Sequence, residues 1–225
     1  MTPVLLAENN QKLKTMVDNC PIIPVMTIKN LEDAVPLAKA LLAGGLPVLE
    51  ITLRTKAATA AIGAIVKEVS GAIVGGGTVL KTSQLHELKS LGAQFAVSPG
   101  LLENLLEEAT QIGLPYLPGI VSMSELMRGL ELGYQNFKFF PAESSGGIQA
   151  LKAFRGPFPE VGFCPTGGIN RDNFINYLAL DNTMCVGGSW VAPQKLITQK
   201  DWDGIERLAR ESLEELQPTE MTCNS

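Results

Sequence analysis

The sequence predicts an α/β protein, a (β/α)8 TIM barrel of parallel strands and outer helices with a further helix leading into it. Three observations favour this fold. Eight short apolar runs alternate with amphipathic stretches, and their starts recur every 20 to 26 residues, the length of one strand, one helix and two loops. The runs are apolar throughout, as in parallel strands that are buried on both faces. The 225 residues suffice for one such domain but are few for two.

The apolar runs are the predicted strands, and the amphipathic stretches are the predicted helices. A leading helix is expected over about residues 8–19, within a capping segment of residues 1–20. The strands are expected at residues 22–28, 48–52, 73–78, 95–98, 116–120, 136–140, 162–166 and 183–187. The helices that follow them are expected at residues 31–42, 57–69, 83–91, 101–112, 123–132, 148–154, 172–180 and 202–216.

Local signals support several of these helix bounds. Gly92, Gly113 and Gly133 come just past the ends of three predicted helices, where glycine commonly adopts the left-handed conformation. Ser122 and Glu125 have the spacing of a capping box at the start of the fifth inter-strand helix. No linker or shift of composition divides the chain, so residues 1–225 are expected to form a single barrel domain, with a polar tail at 217–225 that frays.

A doubly wound open sheet is the alternative to the barrel. Such sheets commonly carry a glycine-rich dinucleotide fingerprint in the first turn between strand and helix. Here that turn, residues 27–30, reads Thr-Ile-Lys-Asn and contains no glycine. The count of eight units and the chain length favour the barrel.

The composition excludes several classes of function. The net charge is −5 without a basic cluster, which argues against nucleic acid and anionic membranes as partners. No apolar run is long enough to span a bilayer and the N-terminus lacks the basic segment of a signal peptide, so a cytoplasmic protein is expected. His86 is the only histidine, which leaves no imidazole cluster for a metal. The four cysteines are scattered and are expected to be free thiols: Cys20, Cys164, Cys185 and Cys223.

A single lysine lies inside an aromatic strand, residues 136–140, which read Asn-Phe-Lys-Phe-Phe. Because side chains alternate along a strand, Phe137 and Phe139 share one face and Lys138 shares the other with Phe140. Burial among apolar groups favours the neutral amine, which is a nucleophile toward carbonyl carbon. We interpret Lys138 as a reactive amine. The structural alternative is a lysine at a strand end that extends its ammonium group into water.

The second predicted strand ends in a polar face. Glu50, Thr52 and Arg54 have one parity, and the leucines and isoleucine between them have the other. If the apolar side chains face the helices, Glu50 points into the barrel and Arg54 lies at its rim. Glu50 is then either a structural ion-pair partner or a proton carrier beside Lys138, and Arg54 is a candidate anchor for an anionic substrate group.

The other strand ends supply small and hydroxyl-bearing residues. The third ends in three glycines and Thr78, whose hydroxyl is free to donate, and Pro99 after the fourth could form the wall of a small apolar pocket. Twin glycines follow the last two strands, and glycine turns there are the common phosphate site of such barrels, built from backbone N–H groups and a helix N-terminus. Tight turns that need a positive φ are the structural alternative. The candidate phosphate residues are Gly167, Gly168 and Ser189.

Seven motifs together resemble the family of 2-keto-3-deoxy-6-phosphogluconate (KDPG) aldolases, which also act as 4-hydroxy-2-oxoglutarate (KHG) aldolases. The resemblance extends from about residue 21 to about residue 213. One departure is Gly76, where alanine is commoner in the family and where we expect an effect on pocket size. The motifs are Glu50-Ile-Thr-Leu-Arg54, Gly75-Gly-Gly-Thr78, Phe95-Ala-Val-Ser-Pro-Gly100, Pro118-Gly-Ile120, Phe137-Lys-Phe-Phe-Pro-Ala142, Pro165-Thr-Gly-Gly-Ile169 and Gly187-Gly-Ser-Trp190.

The resemblance implies a class I aldolase that forms a Schiff base, uses no metal or other cofactor, acts on a small 2-keto acid in the Entner–Doudoroff pathway and assembles as a homotrimer. It implies that Lys138 forms the Schiff base, that Glu50 is the acid and base, and that Arg54 binds the substrate carboxylate. It further implies a pyruvate pocket and a phosphate site. The residues of the pyruvate pocket would be Thr78, Pro99 and Phe140. Those of the phosphate site would be Gly167, Gly168 and Ser189.

Three other functions stay open on the sequence. The first is an aldolase for 2-keto-3-deoxy-6-phosphogalactonate, whose substrate differs only in configuration at C4. The second is a non-covalent isomerase or synthase for phosphorylated sugars, in which Lys138 serves as an ion-pair partner. The third is a binding barrel without catalysis, which would keep the glycine pairs and tolerate the loss of Glu50.

Overall fold

Parallel strands and helices alternate along the part of the chain that the computed structural model describes, residues 3–18 and 20–216. The strands are β1 (Ile22–Met26), β2 (Val48–Thr52), β3 (Ile73–Gly77), β4 (Phe95–Val97), β5 (Tyr116–Leu117), β6 (Gly119–Ile120), β7 (Asn136–Phe139), β8 (Gly162–Pro165) and β9 (Val186–Gly188). The α-helices are α1 (Pro3–Asp18), α2 (Ala34–Ala43), α3 (Ala58–Glu68), α4 (Thr82–Ser90), α5 (Glu103–Gln111), α6 (Met123–Glu131), α7 (Gly147–Arg155), α8 (Phe174–Leu178), α9 (Gln194–Gln199) and α10 (Trp202–Glu214).

Each predicted strand is confirmed, and the observed elements differ from the predicted ones in three respects. The fifth run is divided at Pro118, which has no N–H group to donate, so β5 and β6 are separate short strands. The leading helix begins at Pro3 rather than near residue 8, and α8 is five residues long where nine were predicted. The short helix α9 and the 3-10 turns at Leu31–Asp33 and Glu143–Ser145 were not predicted, and the tail at 217–225 lies outside the described residues.

The strands pair in parallel in two groups. The larger sheet has the order β5-β4-β3-β2-β1-β9, and the smaller has the order β6-β7-β8. An isolated parallel bridge between Thr166 and Gly187 connects the end of β8 to β9, and a second joins Phe163 to Thr183. The helices cover the outer faces, so that the strands are almost wholly buried. The fold is therefore α/β with a curled parallel sheet.

The two sheets share an interior, and α1 packs at one end of it. Leu13 and Val17 of α1 are buried, and they line a small apolar cavity together with Ile23 of β1 and Val48 of β2. Glu50, two residues further along β2, lines the same cavity. The expected leading helix thus covers the N-terminal ends of these strands and leaves their C-terminal ends open. None of the described helices combines the length and the hydropathy that a membrane-spanning segment requires.

Candidate active site

Lys138 lies in the middle of β7 and is almost completely buried, with 5% of its surface exposed. Its neighbours across the sheet are Gly119 of β6 and Cys164 of β8. The Nζ atom is 3.1 Å from Oε1 and 3.3 Å from Oε2 of Glu50. The lysine therefore points into the interior, as the alternation of the aromatic strand predicts, and does not extend along the strand end into water.

Glu50 lies in β2 and is 4% exposed. A Cβ atom added to Gly77 would overlap the Glu50 carboxylate, so the last glycine of β3 leaves the space that this side chain occupies. Thr52, on the same face of the strand, donates its hydroxyl to the Met26 carbonyl at 2.9 Å. The inward orientation predicted for Glu50 and Thr52 is confirmed, and the ion pair with Lys138 crosses the interior from one sheet to the other.

An open cavity of about 550 Å³ lies at the C-terminal ends of the strands. The Lys138 Nζ atom is 5.4 Å from the centroid of the Phe140 ring, and Phe140 lines the cavity. The Lys138 amine thus lies against a side chain of the cavity wall. Five of the nine predicted site residues line this cavity, namely Arg54, Phe140, Gly167, Gly168 and Ser189.

Thr78 and Pro99 do not line the cavity but lie close to the ion pair. Thr78 directly follows Gly77, against which the Glu50 carboxylate packs, and its φ of +60° is unusual for a β-branched residue. Pro99 follows β4, and a Cβ atom added to Gly119, the neighbour of Lys138, would overlap the Pro99 carbonyl. Thr78 therefore adjoins the residue that packs against Glu50, and Pro99 packs against the neighbour of Lys138.

The first glycine pair forms a turn with free N–H groups. Gly167 and Gly168 have φ values of +94° and +83°, which favour glycine. Within the described residues, the backbone N–H groups of Gly168 and Ile169 have no hydrogen-bond acceptor. Consecutive N–H groups of this kind form a concavity that suits an anion. At this first pair the expected helix N-terminus does not adjoin the turn, because α8 begins only at Phe174 and has five residues.

The expectation for Gly76 is wrong. A side chain at Gly76 would meet Leu88 of α4 on the outer face of the sheet, whereas Gly75 and Gly77 face the interior. The size of residue 76 thus affects the contact between β3 and α4, and leaves the cavity unchanged.

A family comparison identifies this arrangement. The family model described as KDPG and KHG aldolase matches residues 13–208. The chain belongs to the KDPG and KHG aldolase family. It is 56% identical to the KHG/KDPG aldolase of Escherichia coli (strain K12) over 194 residues, which cover 86% of this chain and 91% of that protein. It is 53% identical to the 2-dehydro-3-deoxy-phosphogluconate aldolase of Pseudoalteromonas atlantica over 193 residues, 86% of this chain and 90% of that one.

A solved structure of the family is similar throughout. The KDPG aldolase of Legionella pneumophila, with pyruvate captured at low pH as a covalent carbinolamine intermediate, aligns with a TM-score of 0.87 and 47% identity. The alignment covers 88% of this chain and 97% of that one. The resemblance inferred from the motifs is therefore confirmed.

In this member of the aldolase family, three of the cavity residues that had not been selected from the sequence carry hydroxyl or indole groups. Thr27, Thr166 and Trp190 all line the cavity. Thr166 could have been found by parity, because it lies two residues after Cys164, which is opposite Lys138. Trp190 was predicted to be a packing residue. Its ring centroid lies 5.4 Å from that of Phe174, with the ring planes tilted by 37°, and it also forms part of the cavity wall.

Three of the aldolase's cysteines are buried free thiols, as predicted, and Cys223 lies outside the described residues. A hydrogen bond with Cys164, together with burial, raises the pKa of Cys185 well above its ordinary value. Among the described residues, no group of three or more histidine, cysteine, aspartate or glutamate side chains could hold a metal ion.

Proposed function

We propose that the protein is a class I aldolase that cleaves 2-keto-3-deoxy-6-phosphogluconate to pyruvate and glyceraldehyde 3-phosphate. The same chemistry would cleave 4-hydroxy-2-oxoglutarate to pyruvate and glyoxylate. The observation that carries the proposal is the buried Lys138 amine, 3.1 Å from the Glu50 carboxylate and beside an open cavity. The names of the relatives and the pyruvate carbinolamine of the Legionella enzyme support it.

Lys138 is the nucleophile of this mechanism. Once its ammonium group has given a proton to Glu50, the neutral amine attacks the C2 ketone to give a carbinolamine, which loses water to give an iminium ion. Removal of the proton from the C4 hydroxyl then breaks the C3–C4 bond, and the electron pair moves through C3 to the iminium nitrogen. The aldehyde leaves first. Protonation of the resulting enamine at C3, followed by addition of water, releases pyruvate and restores the amine.

Glu50 is the proton carrier. It takes a proton from the attacking amine, returns one to the departing hydroxyl of the carbinolamine, and exchanges protons with the substrate through an intervening water. Both carboxylate oxygens lie within hydrogen-bond distance of Nζ, at 3.1 and 3.3 Å, which supports a role at that atom. Burial of the pair excludes bulk water, which would otherwise compete for these protons.

The pyruvate half of the substrate would be held near the lysine. Arg54, an exposed residue of the cavity wall, binds the carboxylate bidentately, and the Thr78 hydroxyl donates to it. Pro99 and Phe140 are the apolar walls of the pocket. Holding the carboxylate fixes the ketone in a near-attack position relative to the amine.

The phosphate end of the longer substrate would bind at the glycine turns. The free N–H groups of Gly168 and Ile169, next to Gly167, support this assignment, and Ser189 lies on the wall of the same cavity. Gly187 and Gly188, before Ser189, also line the cavity. An anion held by backbone donors needs no lysine or arginine partner, which agrees with the glycine-rich composition of these turns.

We further propose that the two sheets are one closed barrel of eight strands. On this proposal β5 and β6 are halves of a single strand, interrupted because Pro118 lacks an N–H group. The hydrogen bond from the Lys138 N–H to the Pro118 carbonyl supports continuity on that side, and the bridge from Thr166 to Gly187 supports closure on the other. A crystal structure would test this proposal. An unbroken ring of strand contacts would support it, and a gap between two neighbouring strands would contradict it.

The assembly and location belong to the same proposal. We propose a cytoplasmic homotrimer that acts in the Entner–Doudoroff pathway and takes neither nucleic acid nor membranes as partners. The buried free thiols of Cys20, Cys164 and Cys185 agree with a reducing compartment. Sedimentation equilibrium at micromolar concentration tests the assembly: a mass of three chains supports it, and a monomer or dimer contradicts it.

The experiment for the activity follows pyruvate release with lactate dehydrogenase. We expect cleavage of both 2-keto-3-deoxy-6-phosphogluconate and 4-hydroxy-2-oxoglutarate, and slower cleavage of the phosphogalactonate epimer at C4. Preference for the epimer would move the assignment to that substrate. Absence of pyruvate from all three would contradict the proposal and favour the non-covalent or non-catalytic alternatives.

A further inference from the structure

Two asparagine side chains converge on one backbone oxygen beside the cavity. The Asn173 side-chain amide donates to the Gly168 carbonyl at 3.0 Å, and that of Asn170 donates to the same oxygen at 3.3 Å. The Asn173 carbonyl oxygen also accepts from the Asn170 N–H at 2.9 Å, so one side chain bridges residues 168 and 170. The oxygen of Asn170 accepts from the Asp172 N–H at 2.9 Å, which fixes the second amide in turn.

These contacts determine which way one peptide unit faces. The carbonyl of Gly168 and the N–H of Ile169 belong to the same planar trans unit, so the two bonds point in opposite directions. Because the carbonyl is held by the two asparagines, the Ile169 N–H points away from them and has no acceptor among the described residues. Gly168 and Ile169 both line the cavity.

The opposite orientation of this peptide would be unfavourable for an anion. Glycine at 168 resists rotation of the peptide only weakly, since it lacks the Cβ atom that restricts φ and ψ elsewhere. A rotated unit would present a carbonyl oxygen to the cavity in place of an N–H group, which replaces attraction to a negative charge by repulsion. A contact that holds the carbonyl outward therefore acts on anion binding without touching the anion.

We propose that Asn173, with a smaller contribution from Asn170, is a positioning residue that sets the preference for phosphorylated over unphosphorylated 2-keto acids. The inference rests on the proposed function, because it assumes that the phosphate group binds at Gly167 and Gly168. Asn173 acts through the peptide of residues 168 and 169 alone. Its effect is therefore confined to the phosphate end of the substrate, and bond cleavage at Lys138 is unaffected.

The experiment compares two substrates in three variants. KM and kcat are measured for 2-keto-3-deoxy-6-phosphogluconate and for 4-hydroxy-2-oxoglutarate in the unmodified protein, in Asn173→Ala and in Asn170→Ala. Asn176→Ala is the matched control, since Asn176 is an exposed asparagine of α8 outside the cavity. The ratio of the two kcat/KM values is compared, because that ratio does not depend on the fraction of folded enzyme.

In Asn173→Ala we expect KM for the phosphorylated substrate to rise roughly tenfold, while its kcat stays within about twofold of the value for the unmodified protein. For the unphosphorylated substrate, both KM and kcat should stay within about twofold of the unmodified protein's values. Asn170→Ala is expected to change the same ratio by about threefold, consistent with its longer hydrogen bond, and Asn176→Ala to leave it unchanged. If Asn173→Ala yields no folded protein, the ratio in Asn170→Ala decides.

Equal losses for both substrates, or an unchanged ratio in Asn173→Ala and Asn170→Ala, would overturn the inference. Failure of the proposed function gives a different result, because the unmodified protein would then release no pyruvate from either substrate. Cleavage of both substrates with no preference for phosphate in the unmodified protein would contradict the phosphate assignment on which the inference rests.

Discussion

The Nζ atom of Lys138 lies 3.1 Å from Oε1 of Glu50, although the two residues belong to different sheets and are separated by 88 positions in the chain. A buried charge is costly unless it is paired, and this contact pairs the only two charged side chains that approach each other in the described interior. In the proposed mechanism the pair serves both structure and chemistry, because the group that compensates the charge of Lys138 in the resting protein is also the group that accepts its proton.

Replacement of Glu50 tests the chemical role. Glu50→Gln keeps the shape of the side chain but removes its ability to accept a proton, and kcat should fall by roughly two to four orders of magnitude. Steady-state rates of pyruvate release on both substrates measure the effect. An unchanged rate would reduce Glu50 to a structural partner of Lys138.

The space beside Glu50 gives a second prediction. In Gly77→Ala the new methyl group would overlap the Glu50 carboxylate and displace it from the lysine, so kcat should fall by roughly tenfold or more. Gly156→Ala is the matched control, since the nearest atom to its added Cβ is the Ala153 carbonyl oxygen at 3.8 Å. Similar kinetics for both variants would show that the position of the carboxylate is not decisive.

The backbone of Thr78 should separate stability from substrate binding. A non-glycine residue at φ +60° costs about 1–3 kcal/mol, and glycine there would relieve this cost against a backbone entropy loss of about 0.5–1 kcal/mol. Thr78→Gly should therefore unfold in urea at an equal or higher denaturant concentration. KM for both substrates should rise, because the hydroxyl is lost. Lower stability with an unchanged KM would contradict both roles of Thr78.

Alkaline pH should destabilise the protein through Cys20. Burial raises the pKa of this thiol from 9.0 to about 11, so between these values the folded state binds a proton that the unfolded state has released. The contribution to stability is complete below pH 9 and is lost as the pH rises to 11, with a slope of about 1.4 kcal/mol per pH unit. The free energy of unfolding, measured in urea from pH 8 to 11, should decline less steeply with pH in Cys20→Ala than in the unmodified protein. An equal decline in both proteins would contradict the role of Cys20.

Much of the site could be predicted from strand parity. The positions of Glu50 and Lys138 follow from alternation along β2 and β7, because a buried parallel strand must direct every second side chain into the interior. The same rule applied to β8 would have selected Thr166. Tight turns at Gly167 and Gly168 could also be predicted, since turns with a positive φ favour glycine.

Other features depend on contacts that no local pattern contains. The hydrogen bonds from Asn170 and Asn173 to Gly168 require the exact path of an irregular loop, and asparagine in a loop is compatible with many conformations. The short helix α9 has too few residues for a periodic pattern to stand out. The outward direction of Gly76 was misjudged because its effect was inferred from the motif and not from the alternation of β3.

The most direct test of the central claim is to trap the Schiff base. The protein is incubated with pyruvate and sodium borohydride, digested and analysed by mass spectrometry, with Lys138→Met treated in parallel. The account predicts that the peptide containing Lys138 gains the mass of one reduced pyruvate unit and that Lys138→Met gains none. An unmodified Lys138, or an adduct formed equally well in Lys138→Met, would contradict it.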